Sequence, residues 1–162
     1  MANVETFQFP RNRETVLRMF TDRDYFVRKY ERMGSLDIEV VDLIDEDDRF
    51  SIRVLHAAPQ NAPFPGFIKR VLGDRLNLDQ RDSWQPGLGE GRIDIVIRGT
   101  PVTITINMRL EDNADGCLFT LGYDVEARVP VVGGKVADFV RADVARRMRD
   151  DVETSTAMLA DY

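Results

Sequence analysis

Hydrophobic residues recur every three or four positions near the end of the chain, from Pro130 to Tyr162. This spacing places them on one face of a long α-helix, because an α-helix turns once in about 3.6 residues. A helix of roughly thirty residues would be about 40–45 Å long. A helix that long and that one-sided needs a sheet to lie on. Its apolar face consists of Val132, Val136, Phe139, Val140, Val144, Met148, Val152, Met158 and Leu159.

The opening of the chain predicts one strand followed by two short helices. The strand runs from Val4 to Phe9, and apolar residues at helical spacing follow it. Asn12 is a natural cap for the first helix, and Asp22 or Asp24 for the second, because short polar side chains accept bonds from free backbone N–H groups. Gly34 is a natural end of the second helix.

The middle of the chain changes to a period of two, which predicts β-strands. Leu36, Ile38 and Val40 begin the alternation, and the stretch from Val102 to Leu110 shows it most clearly. Turn-forming residues separate the strands. Clean alternation over successive hairpins predicts an antiparallel sheet with one buried face. The predicted turns are Asp45–Asp48, Pro86–Gly89, Gly99–Pro101 and Asn113–Gly116.

The longest loop-like stretch is Ala57 to Gly66, where three prolines prevent regular strand pairing. One or two helical turns follow from Phe67 to Leu72. Ordered loops with apolar tips often cover binding sites, so Phe64 and Phe67 are candidates for a lid over a pocket. The alternative is that both rings simply close one end of the core.

Two glycines, Gly133 and Gly134, lie near the predicted start of the long helix, where Pro130 would occupy the first turn. Each glycine weakens a helix by roughly 1 kcal/mol relative to alanine. Close approach of the helix to the sheet would offset that cost, as would space left for a ligand. Tight packing without any ligand is the open alternative.

Composition adds mainly exclusions. The chain of 162 residues, with 43% hydrophobic and 31% charged residues, predicts one globular domain over 1–162. A net charge of −6 without a basic run argues against nucleic acid as a partner. The single cysteine, Cys117, excludes an internal disulfide and a cysteine-built metal site. The acidic turn at Asp45–Asp48 lacks the ligand spacing of a calcium loop, so we expect no metal and no cofactor.

Targeting signals in a sequence indicate the cellular compartment of the protein. Its first residues have no apolar core of the kind found in signal peptides. No run approaches the roughly eighteen apolar residues of a membrane span. We therefore expect a cytoplasmic protein without stable membrane insertion.

Candidate chemistry is sparse. His56 is the only histidine and shares the parity of Ile52 and Val54, so it could act as a general base with an unperturbed pKa of about 6.5. The sequence places no nucleophilic serine or cysteine near it, and a hydrogen-bonded histidine at a strand end is the plainer interpretation. Gln80, Asp82 and Trp84 share the parity of apolar neighbours and should point inward, unless a bulge exposes this end of the strand.

Two stretches carry a resemblance to a known superfamily. The first, FQFPRNRETVLRMFTDRDYFVRKY from Phe7 to Tyr30, is similar to the strand–proline–helix opening of the START/Bet v 1-like (SRPBCC) superfamily, with a Thr-Asp break between two small helices. The second, VPVVGGKVADFV from Val129 to Val140, resembles the entry to the long helix in the uncharacterised bacterial DUF2505-type branch.

The resemblance implies an α+β helix-grip fold, in which a curved antiparallel sheet of about seven strands wraps a long C-terminal helix. It also implies a cavity between sheet and helix that holds apolar molecules such as lipids, sterols or polyketides. The inward positions that become candidate ligand-binding residues are His56, Phe64, Phe67, Leu78, Gln80, Asp82, Trp84, Ile95, Ile106, Met108, Phe119, Leu121, Tyr123, Val136, Phe139 and Val140.

These features favour a non-catalytic protein that binds an apolar or amphipathic small molecule. The first alternative is an enzyme of the polyketide-cyclase or aromatase type, for which His56, Asp82 and Tyr123 are the available acids and bases. The second is a protein-interaction module like the co-chaperones of the superfamily, although the sequence shows no obvious exposed patch for a partner.

Overall fold

The computed structural model describes residues 3–59 and 64–162, so positions 60–63 of the predicted loop lie outside the described residues. Short 3-10 turns at Pro86–Leu88 and Leu159–Asp161 accompany the longer elements. In chain order these are β1 (Asn3–Phe9), α1 (Arg13–Phe20), α2 (Arg23–Arg32), β2 (Leu36–Glu46), β3 (Arg49–Ala58), α3 (Gly66–Leu72), β4 (Leu76–Gln85), β5 (Glu90–Ile97), β6 (Val102–Asn113), β7 (Gly116–Ala127) and α4 (Gly133–Met158).

The strands form one curved sheet in the order β1-β7-β6-β5-β4-β3-β2, and each neighbouring pair is antiparallel. From β2 to β7, each strand pairs with the next one in sequence, as the alternating pattern predicts. β1 departs from this rule and pairs with β7, where Phe7 lies opposite Phe119. The predicted antiparallel sheet is confirmed.

The predicted caps of the two short helices are also confirmed. The side-chain oxygen of Asn12 accepts a bond of 3.0 Å from the backbone N–H of Thr15 at the start of α1. Asp22 does the same for Asp24 at the start of α2, again at 3.0 Å. These bonds satisfy N–H groups that have no partner within the helix.

The edge strand β2 follows its predicted alternation only in part. Ile38 and Val40 are half-buried, but Leu36 is 60% exposed. The pairing with β3 shifts register twice, between residues 36 and 39 and between 40 and 42, and Asp37 has a positive φ of 54°. Such irregularities are common on edge strands and turn side chains out of the regular pattern.

The long helix α4 has 26 residues and is about 39 Å long. The prediction that Pro130 occupies the first turn of this helix is wrong. Residues 130–132 form a separate turn before the helix, with Val131 at a positive φ of 69°. A Cβ on Gly133 would lie 2.7 Å from the carbonyl oxygen of Ala127, so this glycine allows a close approach to the end of β7. None of the helices in the described part of the chain is long and apolar enough to cross a membrane.

Aromatic rings from α1 and α2 fill one half of the space inside the sheet. Phe20 stacks on Trp84 with ring centroids 5.4 Å apart, and it also packs against Phe119 at 5.5 Å. Phe26 stacks on Phe50 at 5.9 Å. These rings pack directly on one another and on the inner face of the sheet.

Candidate functional site

The other half of the inner sheet face encloses a cavity of about 250 Å³ between β3–β6 and α4. Aliphatic side chains form its deep wall, and of the aromatic rings of α1 and α2 that of Tyr30 lines the cavity. Aliphatic residues here and aromatic residues in the other half explain why the space is open at this end. The wall consists of Leu72, Leu76, Leu78, Ile95, Ile97, Ile104, Ile106, Val140, Val144 and Met148, all of which are buried.

One rim of the cavity is polar and partly exposed. Asp143, Arg147, Asp150 and Thr154 lie on it at intervals of three or four residues along α4. The guanidinium of Arg147 donates a bond of 2.7 Å to Asp143 and another of 2.7 Å to the backbone oxygen of Pro59. Arg147 thereby ties α4 to the residue that follows β3. The cavity combines a closed apolar wall with a charged edge.

Several predicted site residues line this cavity, although their contact with a ligand stays a prediction. They come from β3, β4, β5, β6 and α4, whose inward faces strand and helix periodicity identify. These residues are His56, Leu78, Gln80, Ile95, Ile106, Phe139 and Val140.

The remaining candidates do not line the cavity. The alternation of a strand tells which face a residue occupies, but not how far along that face the cavity extends. The ring of Phe64 packs edge-to-face on Phe139 with centroids 5.5 Å apart, and Phe67 is half-buried against the core. Asp82 lies behind Gln80. Those buried in the packed core are Trp84, Met108, Phe119, Leu121, Tyr123 and Val136.

A chain of hydrogen bonds crosses the inner face next to the cavity. It runs from Ser35 Oγ to His56 Nδ1 (3.3 Å), from His56 Nε2 to Gln80 Oε1 (3.1 Å), and from Gln80 Nε2 to Asp82 Oδ1 (3.1 Å). An ionised carboxylate only accepts, so the amide nitrogen of Gln80 faces Asp82 and its oxygen faces the histidine. His56 therefore carries its proton on Nε2, and its Nδ1 accepts from the hydroxyl of Ser35.

Burial determines the charges of His56 and Asp82, the two titratable groups among these hydrogen-bonded residues. It lowers the pKa of His56, against the hydrogen bond to Gln80, so the imidazole is neutral at neutral pH. Burial also raises the pKa of Asp82 to about 6, against the opposing effects of Lys29 and of the bond from Gln80. Asp82 is thus a carboxyl group that changes its charge close to neutral pH.

A second buried polar group joins α2 to α4. Lys29 Nζ lies 2.8 Å from Asp151. Burial alone would lower the pKa of Lys29, but the carboxylate of Asp151 raises it well above its ordinary value. Asp151 also accepts from Ser155 (3.3 Å), whose hydroxyl shares a bond of 2.6 Å with that of Tyr25. The ion pair is compensated by hydrogen bonds, as a buried pair must be.

Sequence reasoning missed Tyr30 and Ser35, which line the cavity beside His56. The ring of Tyr30 stacks on the imidazole with centroids 4.3 Å apart. The expectation that no nucleophilic serine lies near His56 was wrong, because Ser35 does. A hairpin without irregularities would have placed Ser35 opposite the loop beyond Ala58, and the two register shifts in β2 move it towards His56.

Solved structures with the same fold have little sequence in common with this chain. The Zhui aromatase/cyclase from Streptomyces sp. R1128 matches with a TM-score of 0.64 and 11% identity, over 99% of this chain and 93% of that one. Ara h 8.0201 matches at 0.63 and 11%, over 100% and 99%. TTHA0849 from Thermus thermophilus matches at 0.59 and 16%, over 99% and 95%. At these identities the likeness shows the fold alone.

Among curated proteins, none matches the chain in sequence. One family model does match, and it covers residues 5–159. The chain therefore belongs to the family described as "Protein of unknown function (DUF2505)", and its fold is the helix-grip fold of the START/Bet v 1-like (SRPBCC) superfamily.

Proposed function

We propose that this protein binds a small apolar or amphipathic molecule in the cavity between the sheet and α4. The observation that carries the proposal is the unfilled space of about 250 Å³ behind a closed aliphatic wall. Protein interiors are close-packed, and voids of this size are few in a domain. An apolar wall with a few polar groups on one side is typical of ligand pockets.

The volume limits the ligand. Pockets for drug-sized molecules usually measure about 300–1,000 Å³, so this one lies just below that range. Among the expected lipid-, sterol- and polyketide-like classes, it favours the smallest members: a short acyl chain or a compound with one or two rings. A full sterol would require the wall to move.

The named structural relatives support the proposal only indirectly. One of them is the Zhui aromatase/cyclase. That protein shares with this chain the fold in which a sheet packs around a long helix.

A cavity-filling variant tests the proposal. Val144 is buried on α4 and lines the cavity, so Val144→Phe should fill the space and abolish binding of indane, a small bicyclic hydrocarbon. Binding would be measured by isothermal titration calorimetry. The variant should keep its melting temperature, because the new ring occupies open space. Val152→Phe is the control, since Val152 is buried two turns further along α4 and outside the cavity wall.

We expect Val152→Phe to lower the melting temperature through overpacking. Indane affinity equal in wild type and Val144→Phe would overturn the proposal, and so would no binding of indane to the wild type. Native mass spectrometry of freshly purified protein adds a second measurement. An additional mass that is lost on denaturation would identify the class of a co-purified ligand.

The hydrogen bonds that link Ser35, His56, Gln80 and Asp82 favour one alternative function, which is acid–base catalysis on a bound carbonyl compound. A neutral His56 can take a proton through Ser35, whose hydroxyl donates to Nδ1 while its oxygen receives a proton from the substrate. Removal of a proton next to a carbonyl group is the first step of an aldol cyclisation. We expect such a site to exchange the α-protons of 1-indanone for deuterium in D₂O.

Deuterium incorporation can be followed by NMR in wild type, His56→Asn and Ser35→Ala. Faster exchange with the wild type than with either variant would support catalysis. Equal exchange in all three samples, at concentrations where the ketone is bound, would leave binding as the function.

A further inference from the structure

The polar end of the cavity holds two hydrogen-bond donors that have no partner among the described residues. We call this end the polar floor and define it as Tyr30, His56 and Gln80, which are buried and line the cavity. Both ring nitrogens of His56 are already bonded, one to Ser35 and one to Gln80. The histidine therefore has nothing left to offer a ligand in its neutral form.

Gln80 retains one donor. Its amide nitrogen has two N–H groups, and within residues 3–59 and 64–162 its single partner is Asp82. Its amide oxygen accepts from His56. The free N–H group belongs to a side chain in the cavity wall that is only 7% exposed. A buried donor without a partner destabilises the site, and a matching ligand atom would offset that cost.

Tyr30, which also lines the cavity, supplies a second donor. Its hydroxyl is buried and has no hydrogen-bond partner in the described part of the chain. The ring is held by its stack on His56 and by Lys29, whose ammonium lies 5.1 Å from the ring centroid. Burial and the nearby Asp82 raise the pKa of Tyr30 well above its ordinary value, so the hydroxyl keeps its proton.

The charges around the cavity disfavour an anion. Three carboxylates line it, those of Asp143, Asp150 and Asp151, against one guanidinium, that of Arg147. Arg147 is already paired with Asp143, and Lys29 with Asp151, so the described lining offers an anion no unpaired cation. Asp82 adds a further carboxyl group behind Gln80. A ligand carboxylate or phosphate would meet repulsion from this set, whereas a neutral oxygen would not.

We propose that the ligand carries a neutral oxygen acceptor, such as a ketone, ester or amide carbonyl, which bonds to Gln80 and Tyr30 on the polar floor while its apolar part lies against the aliphatic wall. This specificity rests on the proposed binding function. It follows from hydrogen-bond complementarity, because a site with unpaired buried donors discriminates against analogues that lack the acceptor.

Two probes of nearly equal shape test the inference. Indane and 1-indanone differ by one carbonyl group in place of a CH₂. We expect the wild type to bind 1-indanone about three- to tenfold more tightly than indane by titration calorimetry, as one net hydrogen bond would give. Tyr30→Phe removes only the hydroxyl and keeps the stack on His56. It should therefore bring the ratio of the two affinities, 1-indanone to indane, at least halfway to one. Gln80→Met should do the same.

Two control variants remove the same groups elsewhere. Tyr123→Phe deletes a hydroxyl that is also buried and unpartnered in the described residues, but it belongs to a ring outside the cavity wall. Gln85→Met changes an exposed glutamine of β4. Both should leave the ratio within about twofold of the wild type, because neither supplies a donor to the floor.

The outcomes separate the two proposals. Equal affinity for the two probes, or a preference that survives in both Tyr30→Phe and Gln80→Met, would overturn the acceptor specificity and leave the binding function standing. Absence of binding for both probes would overturn the binding function and the inference together. A preference lost equally in Tyr123→Phe would assign it to general loss of packing and would also overturn the inference.

Discussion

Asp82 has a carboxyl group that the fold removes almost completely from water, with 4% of the residue exposed. Among the described residues, its carboxyl accepts one side-chain hydrogen bond, from Gln80, and burial raises its pKa to about 6. An unfolded aspartate has a pKa near 3.9. Between these two values the folded chain holds a proton that the unfolded chain has released. Stability contributed by this group therefore falls as the pH rises through that window.

Asp82→Asn should remove this penalty, because its amide oxygen can still accept from Gln80. Relative to the wild type, we expect its free energy of unfolding to rise between about pH 4 and pH 7, by at most about 2–3 kcal/mol. Urea denaturation over this range measures the difference. Parallel curves for the two proteins would show that the carboxyl is solvated or paired in solution.

Asp79→Asn provides a control with the opposite sign on the same strand. The hydrogen bond from Arg53 lowers the pKa of Asp79, which is on the outer face and paired at 2.6 Å. This aspartate stabilises the folded state above its unfolded pKa, so its variant should lose stability as the pH rises. The loss should be about 1 kcal/mol or less, because the pair is partly exposed.

At this scale, the sequence allows the face of a residue to be predicted, but not its partners. Parity correctly predicts that Gln80, Asp82 and Trp84 are buried. It cannot show that Ser35 reaches His56, because that contact depends on two register shifts in an edge strand. Nor can it show the stack of Tyr30 on His56, which joins a helix to a strand that lies far along the sequence.

The start of α4 contains a natural pair of test positions. A Cβ on Gly133 would lie 2.7 Å from the backbone oxygen of Ala127, whereas one on Gly134 would have no atom within 4 Å. We expect Gly133→Ala to lower the free energy of unfolding by about 1–3 kcal/mol, since two backbones would have to separate. Gly134→Ala should raise it by up to about 1 kcal/mol through helix propensity.

Urea denaturation of both variants measures these opposite effects, and each variant is the control for the other. Stabilisation by Gly133→Ala would mean that the end of β7 moves freely away from the helix. The two adjacent glycines thus have different roles, although the sequence treats them alike.

Elements were more predictable than their ends. The hydrophobic periods identify every strand and helix used here, because each buries one face against the same core. The start of α4 differs from prediction, since a proline that would fit the first turn of a helix lies in the turn before it. The conformational preference of proline allows both the first turn of a helix and the turn before it. The close approach of Gly133 to Ala127 favours a helix that begins after the proline.

At the scale of the whole molecule, charge should affect which ligands enter. The chain has a net charge of −6, and carboxylates of α4 lie on the cavity rim. We expect indane-1-carboxylate to bind more weakly than 1-indanone. This gap in affinity should narrow between about 20 and 200 mM salt, because salt screens exposed charges. Titration calorimetry at both salt concentrations measures it.

Asp150→Asn should narrow the same gap at low salt, because it removes an exposed charge from the rim. Asp124→Asn, an exposed position of β7 that does not line the cavity, should leave the gap unchanged. Tighter binding of the carboxylate than of the ketone would contradict the assignment of a neutral ligand.

The pairing of β1 with β7 also governs the order in which the molecule can assemble. The strands from β2 to β7 can pair one hairpin after another. β1 can pair only once β7 is in place, because Phe7 lies opposite Phe119. Contacts between residues so distant in sequence form slowly, because a long loop must close first. The contact of Phe20 with Phe119 must likewise wait for β7, whereas its stack on Trp84 of β4 can form earlier. Trp84, the only tryptophan, stacks on Phe20, so its fluorescence during refolding would report when α1 docks.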